Sequence, residues 1–342
     1  MSPARLLIID AHHGLRHIAR EKLVDVLRAG DLVVANDAAT LPASLHGTHV
    51  RTGEPIEVRL AGRASLSPEL ADFSAVVFGA GDFHTKTEDR PPPPMLARGD
   101  ELALGPLPAT VTGLLGHPRL ISLHFASSPD EIWSGIAHHG RPVQYAHAPT
   151  PLALWDVWTP IASPPVAFEP PSASFALDWQ MIAALRARNI GFATITHAAG
   201  ISSTGDSELD DRLPLDEPYE VTLSTARAIA HARSSGGRIV AIGTTVVRAL
   251  EHSARNDGTV HAGPGLATGR VGRGTRLRVV DAILTGVHER GTSHYELLRA
   301  FADDPTLSSA AEVLAAHGYR PHEFGDSVLV IHADPLIAAA GM

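Results

Sequence analysis

The sequence predicts an α/β protein, a Rossmann-like domain interrupted by a small antiparallel β-barrel, and three observations carry that expectation. The apolar runs Leu6 to Asp10 and Asp31 to Asn36 are continuous rather than alternating, the pattern of strands covered on both faces. From about Gly53 to Val143 the chain turns to short alternating segments broken by Gly or Pro roughly every ten residues, which suggests a small barrel or sandwich. After a Pro-rich passage from Pro149 to Pro171, strands and helices alternate again. The expected division is residues 1–52 and 146–342 for the α/β domain and 53–145 for the insert. A chain of 342 residues, 44% hydrophobic, is long enough for two such units.

The elements follow in order. Leu6 to Asp10 reads as a strand, Glu21 to Leu27 as a helix and Asp31 to Asn36 as a second strand. In the insert, Ile56 to Leu60, Ala75 to Phe78, Glu101 to Leu104, Ala109 to Leu114 and Leu120 to His124 read as strands, and Pro91 to Pro94 as a rigid surface link. In the second α/β segment, helices are expected over Asp178 to Arg188, Thr222 to Ser234, Thr244 to Glu251, Tyr295 to Ala302 and Ser308 to His317. Phe192 to Thr196, Arg238 to Gly243, Val279 to Thr285 and Ser327 to Ile331 read as strands.

Composition excludes several chemistries. Cys is absent, which removes disulfides, thiolate metal sites and a cysteine nucleophile, and fits a reducing cytoplasm. Lys22 and Lys86 are the only lysines, so a Schiff-base or P-loop lysine has almost no candidate. No apolar run approaches the ~18 residues of a membrane span, and the chain reads as a soluble cytoplasmic protein. A net charge of −9 argues against a generic nucleic-acid coat, while a local basic patch could still meet a phosphate backbone. Among the 20 histidines, the adjacent pairs His12-His13 and His138-His139 cannot share one face, and His288-Glu289 and His322-Glu323 both lack the second His of a zinc helix. No metal is expected. A dinucleotide glycine fingerprint and a Gly-x-Ser-x-Gly elbow are both missing.

The sharpest local feature is Gly243-Thr-Thr-Val-Val-Arg248, where a buried strand runs into a helix. Backbone N–H groups and hydroxyls there can hold a carboxylate, a phosphate or a ribose, or Thr244 or Thr245 can simply cap the helix. Arg248 can clamp a ligand carboxylate or pair with Glu251 on the surface. Asp281 interrupts the run Val279 to Thr285, and His288 follows its carboxyl end, the end where open α/β sheets bind ligands; His288 is a candidate acid, base or donor, or a loop residue. Asn36-Asp37 and Gly325-Asp326 flank strands and are either turns or further site groups. Arg270, Arg273, Arg276 and Arg278, near period two, are a solvated strand face or a phosphate contact.

Taken together, these segments resemble the S-adenosylmethionine:tRNA ribosyltransferase-isomerase family of the queuosine pathway, over nearly the whole chain. Ala4 to Asp10 resembles the family's Ser-Arg-Leu-Leu-Val-Leu-Asp, and Gly30 to Asp37 with Leu41 to Gly47 resembles its Gly-Asp-Leu-Leu-Val-Phe-Asn-Asp-Thr-Arg-Val-Ile-Pro-Ala-Arg-Leu stretch. Gly243 to Glu251 is similar to Gly-Thr-Thr-Ser-Val-Arg-x-Leu-Glu, Arg278 to Thr285 with His288 to Lys-Val-Val-Asp-x-Leu-Ile-Thr-Asn-Phe-His, and Tyr319 to Ile331 to the closing Tyr-Arg-Phe-Phe-Ser-Tyr-Gly-Asp-Ala-Met-Leu-Ile. The resemblance implies S-adenosylmethionine as a co-substrate that donates its ribosyl group to a 7-aminomethyl-7-deazaguanine in tRNA, with adenine and methionine leaving. Such chemistry needs a base for the C–H beside the sulfonium, donors for the ribose oxygens and a clamp for the methionine carboxylate. Carried onto this sequence, it implies Asp281, His288 and Glu217 as catalytic candidates. Asn36, Asp37, His197, Gly243, Thr244, Thr245, Arg248, Thr285 and Asp326 are implied as binding residues.

The chain departs from the family at named positions. Ala39 replaces the arginine of Asn-Asp-Thr-Arg, and Pro171 to Leu177 carries Ala176 where Pro-Thr-Ala-Gly-Leu-His-Phe has its histidine. Leu215 stands for the second His of His-x-Met-His-x-Glu, Gly286 to Arg290 replaces Asn-Phe-His-Leu-Pro, and Ala199 to Ser203 replaces the glycine-rich stretch after His197. Glu217 reads either as a buried base or as a surface member of the acidic stretch Asp206 to Glu217. The donor-side motifs are the better kept, so a relative acting on a non-tRNA acceptor and a non-catalytic ligand-binding relative stay open beside the family's own reaction. The expected assembly is a monomer or homodimer.

Overall fold

The structure, a computed structural model, describes residues 4–10, 13–321 and 324–332; His12 and the His322-Glu323 pair lie outside the described residues. The chain opens with β1 (Arg5–Asp10), β2 (Gly14–Ala19), β3 (Leu32–Asn36) and β4 (Ala39–Thr40). It continues with β5 (Ser44–His49), β6 (Pro55–Gly62), β7 (Asp72–Phe78), β8 (Glu101–Leu104), β9 (Leu107–His117) and β10 (Leu120–Phe125). These six strands close an antiparallel barrel in the order β10-β7-β6-β5-β8-β9. The expected barrel exists, and Ser44–His49, assigned from sequence to the α/β part, is one of its strands. Helix α1 (Pro129–His139) packs against β9, sinking Ile132 and Ile136 among the barrel's apolar side chains.

The remainder comprises α2 (Leu154–Val157), β11 (Pro165–Ala167), α3 (Trp179–Ala187), β12 (Gly191–His197), α4 (Ser207–Asp210), β13 (Glu217–Val221) and α5 (Leu223–Ser234). Then come β14 (Ile239–Ile242), α6 (Thr244–Ser253), β15 (Gly263–Ala267), β16 (Ala282–Gly286), α7 (Ser293–Leu298), α8 (Asp304–Ala316) and β17 (Ser327–Ile331). A nine-stranded sheet runs β15-β13-β12-β3-β14-β16-β17-β1-β2, and its centre, β12, β3, β14 and β16, is parallel.

Continuous apolar runs mean two covered faces, and the side chains divide accordingly. Leu7, Ile9, Val34, Ala241 and Ile283 pack on α5, α6 and α8, while Leu6, Ile8, Val33, Val240 and Leu284 pack with Leu177, Met181 and Leu185 on the opposite face. Burying a Leu or Ile side chain contributes about 1.5–3 kcal/mol, so these two layers hold the sheet rigid under the site.

The helix expected over Glu21 to Leu27 is a 3-10 helix, Arg20–Asp25. Other readings are corrected. The segment Arg270 to Arg278 is a loop, not a strand face, and β16 begins at Ala282 because the N–H groups of Arg278, Val279 and Val280 are spent on the Glu251 carboxylate. Glu251 is therefore buried and unavailable to Arg248. Phe168, Ile201, Leu209 and Leu213 insert into the barrel core from outside it, and this seam joins the two units.

Candidate active site

The parallel strands end in a cavity of about 390 Å³, within the range of small-molecule sites. At its floor β14 turns into α6 through Gly243, whose φ of +93° is a left-handed conformation that glycine adopts without strain. The sequence offered Thr244 or Thr245 as the helix cap; Gly243 is the cap instead, and both threonines lie in the first turn, lining the cavity. The first N–H groups of an α-helix have no partner within it, so the mouth of α6 is suited to an anion.

A buried charge cluster stands at that floor, and its Glu217 and Arg248 line the cavity. Arg248 donates through Nη1 to Glu217, and through Nη2 to the carbonyls of Leu215 at 3.1 Å and Ala267 at 3.1 Å. Glu217 also pairs with His197 Nε2 at 2.8 Å and accepts the Gly200 N–H at 2.7 Å. Burial alone would raise the Glu217 carboxyl, but the Arg248 charge, His197 and the Gly200 N–H hold it below its ordinary value. A carboxylate so stabilised is a poor base; Glu217 is buried, not a surface member of the acidic stretch, and it anchors Arg248. Both terminal nitrogens of the guanidinium are engaged in the protein, while its Nε has no partner and the side chain lines the cavity.

Asn36, at the end of β3, ties this cluster to the sheet. Its side chain accepts the His197 N–H at 3.0 Å, donates to the His197 carbonyl at 2.9 Å and reaches Thr245 Oγ1 at 3.4 Å. Asn36 and His197 are both fully buried and support the floor from below. Asp37 accepts from Thr196 Oγ1 at 2.7 Å, and burial raises its carboxyl; it is not among the cavity-lining residues.

On the other wall, Thr285 Oγ1 lies 2.7 Å from His288 Nε2, and the His288 ring stacks on His294 with centroids 4.6 Å apart. Thr285, His288 and His294 all line the cavity, as do Arg270 and Arg273 from the arginine loop. Arg270 donates to the Asp211 carbonyl and Arg273 pairs with Asp304 at 3.4 Å. Two expected site residues lie elsewhere. Asp281 precedes β16 at the end of the sheet opposite the cavity, where it accepts the Ile239 N–H at 2.7 Å, and burial raises its carboxyl. Asp326 is buried under Arg5, accepting Arg5 Nη2 at 2.7 Å and the Arg320 N–H at 2.9 Å; burial opposes its ionisation and these donors outweigh it, leaving the carboxyl lowered.

A second cavity of about 650 Å³ continues from the first between the two units, with Lys86, Tyr145 and His147 on one side and Val287, His288 and His294 on the other. Glu169, Pro170, Ser172, Ser202, His288 and His294 border both. Glu169 and Tyr145 were missed from sequence, the former hidden in a Pro-rich passage that reads as a linker. Among the described residues no cluster of three or more metal-ligating side chains occurs.

A profile of the family described as queuosine biosynthesis protein matches residues 2–330. An S-adenosylmethionine:tRNA ribosyltransferase-isomerase from Ralstonia nicotianae is 31% identical over 322 residues, covering 92% of this chain and 83% of its own. One from Burkholderia pseudomallei is 31% identical over 353 residues, covering 97% and 91%. The crystal structure of S-adenosylmethionine tRNA ribosyltransferase from Thermotoga maritima superposes with a TM-score of 0.50 at 22% identity, covering 96% and 92%, a likeness of fold. With a match across almost its full length, the chain belongs to the queuosine biosynthesis protein family.

Proposed function

We propose that this protein is an S-adenosylmethionine:tRNA ribosyltransferase-isomerase, transferring and isomerising the ribosyl group of S-adenosylmethionine onto a 7-aminomethyl-7-deazaguanine in tRNA. The observation that carries the reading is the pair of confluent cavities, one floored by the mouth of α6 and the other open between the barrel and the sheet. A reaction joining a small sulfonium donor to a base carried on a large RNA needs two such compartments meeting at one point. The relatives matched over nearly their full length carry that activity in their names.

In this reading the donor lies in the first cavity. The N–H groups at Thr244 and Thr245 take the methionine carboxylate with help from the exposed Arg270 and Arg273, since Arg248 is buried and held by Glu217. His288, oriented by the Thr285 hydroxyl, faces the C–H acidified by the sulfonium as its base. Asn36, His197 and Glu217 hold the floor. No metal takes part, and a monomer or homodimer in the cytoplasm is the proposed working form.

The test is titration calorimetry with S-adenosylmethionine, followed by chromatography for adenine and methionine with and without tRNA carrying the aminomethyl base. Release that depends on the modified tRNA is the expected result. Release driven instead by a small amine would make this a paralogue with another acceptor, and no binding would leave a non-catalytic relative.

A further inference from the structure

Glu169 sits where the two cavities meet, lining both, and is 8% exposed. It lies outside every segment that carries the family resemblance, just before Pro171 to Leu177. Local structure fixes it firmly. Phe168, fully buried in the barrel core, pins the residue before it, and Pro170 and Pro171 restrict the backbone after it. Tyr145 donates its hydroxyl to Glu169 Oε1, and Arg59 lies over the Tyr145 ring at 5.5 Å. Burial, then the Glu169 charge, pushes the Tyr145 hydroxyl well above its ordinary value, so Tyr145 keeps its proton and serves as a donor.

A rigid carboxylate at that junction has a chemical use. Building on the tRNA reading above, the acceptor presents a primary aminomethyl group, which at neutral pH is an ammonium like that of lysine, with a pKa of about 10. As an ammonium it has no lone pair and cannot attack the ribosyl carbon. We propose that Glu169 is a catalytic residue of the second cavity, recognising the acceptor's ammonium and taking its proton: an N–H bond breaks, an O–H bond forms on the Glu169 carboxyl, and the nitrogen lone pair is freed for attack. Lys86 and Glu88 line the barrel side, His147 lies beside Tyr145, and His288, Glu289 and His294 line the facing wall. His288 is then left for the donor's carbon acid, and two bases serve two protons.

The test is Glu169→Gln, with Glu169→Asp as the conservative variant and thermal melts to check folding. At pH 7, Glu169→Gln lowers kcat/KM for modified tRNA by about 10²–10⁴-fold, the span of general-base catalysis, with S-adenosylmethionine Kd changed less than about threefold. The deficit narrows about tenfold per pH unit as pH rises toward ~10, because the amine then loses its proton to solvent. Glu169→Asp recovers part of the loss. A deficit that is flat with pH, or a Glu169→Gln enzyme within about threefold of wild type, overturns the proposal. A wild-type protein without tRNA-dependent release instead defeats the functional reading, and a binding arm still decides Glu169. The free aminomethyl-deazaguanine base is compared calorimetrically with its 7-methyl counterpart. A preference of about tenfold or more for the amine, abolished in Glu169→Gln, supports the assignment, and equal affinities refute it.

Discussion

The residue that governs the site's stability is Glu217, because one buried carboxylate pairs with Arg248, His197 and the Gly200 N–H together. Removing its charge strands a buried guanidinium, and breaking a buried pair in this way costs about 3–5 kcal/mol. Glu217→Gln is therefore expected to lower Tm by many degrees at pH 7, read by calorimetry or circular dichroism. The sign with pH follows from the lowered carboxyl. Its stabilisation is complete above the ordinary value of 4.5 and is lost as pH falls through the lower folded value. The gap between wild type and Glu217→Gln should thus close in melts taken from pH 7 down to pH 3; a constant gap would deny the ion pair its role. Asp281 is the contrasting case. Its polar break in an apolar run drew it into the site on sequence grounds, yet it serves the Ile239 N–H at the far end of β16. Asp281→Asn is expected to leave turnover within about twofold of wild type in the adenine-release assay.

Among elements, the turn from β14 into α6 does the most. Gly243→Ala imposes a left-handed conformation on a residue with a Cβ, costing about 1 kcal/mol or more, and sets that Cβ 3.4 Å from Ala173 Cβ. Since the mouth of α6 floors the cavity, the expected outcome is a lower Tm together with weaker S-adenosylmethionine binding in calorimetry. This element was legible because strand, glycine and helix each leave their own pattern in sequence. So were β3, β14, β17 and the later barrel strands, whose apolar runs are decided by burial alone. Others were illegible for physical reasons. β2 pairs along the sheet edge with mostly exposed or half-buried residues, so it carries no apolar period. β13 and β15 contain Pro218 and Pro264, and proline argues against a strand; β15 is the sheet's edge, and Pro218 lies outside the short ladder that joins β13 to β12 at Tyr219 and Glu220. The site divides the same way. Gly243, Thr244, Thr245, Thr285 and His288 announced themselves at strand ends, whereas Glu169 depends on Tyr145, a residue 24 positions away whose contact no local pattern encodes.

For the whole molecule, the proposed function raises the question of how a chain of net charge −9 would engage RNA. Diffuse attraction is not available, so binding must concentrate on local cations. The loop carrying Arg270, Arg273, Arg276 and Arg278 is the clustered set, and its first two arginines already line the donor cavity, with Arg273, Arg276 and Arg278 exposed. Each phosphate neutralised contributes about −0.7 to −0.9 to the slope of log K against log salt concentration, so a contact made by this loop gives a slope no steeper than about −4. Double replacement Arg276→Ala with Arg278→Ala should weaken tRNA binding and flatten that slope by about 1.4 to 1.8, while S-adenosylmethionine affinity stays constant because neither side chain lines the cavity. Fluorescence titrations of labelled tRNA from 50 to about 300 mM salt supply both numbers. A much steeper wild-type slope, or one indifferent to the two substitutions, would move the RNA contact to another face. The acceptor base would then have to enter the second cavity from the barrel side, past Lys86, rather than over the arginine loop.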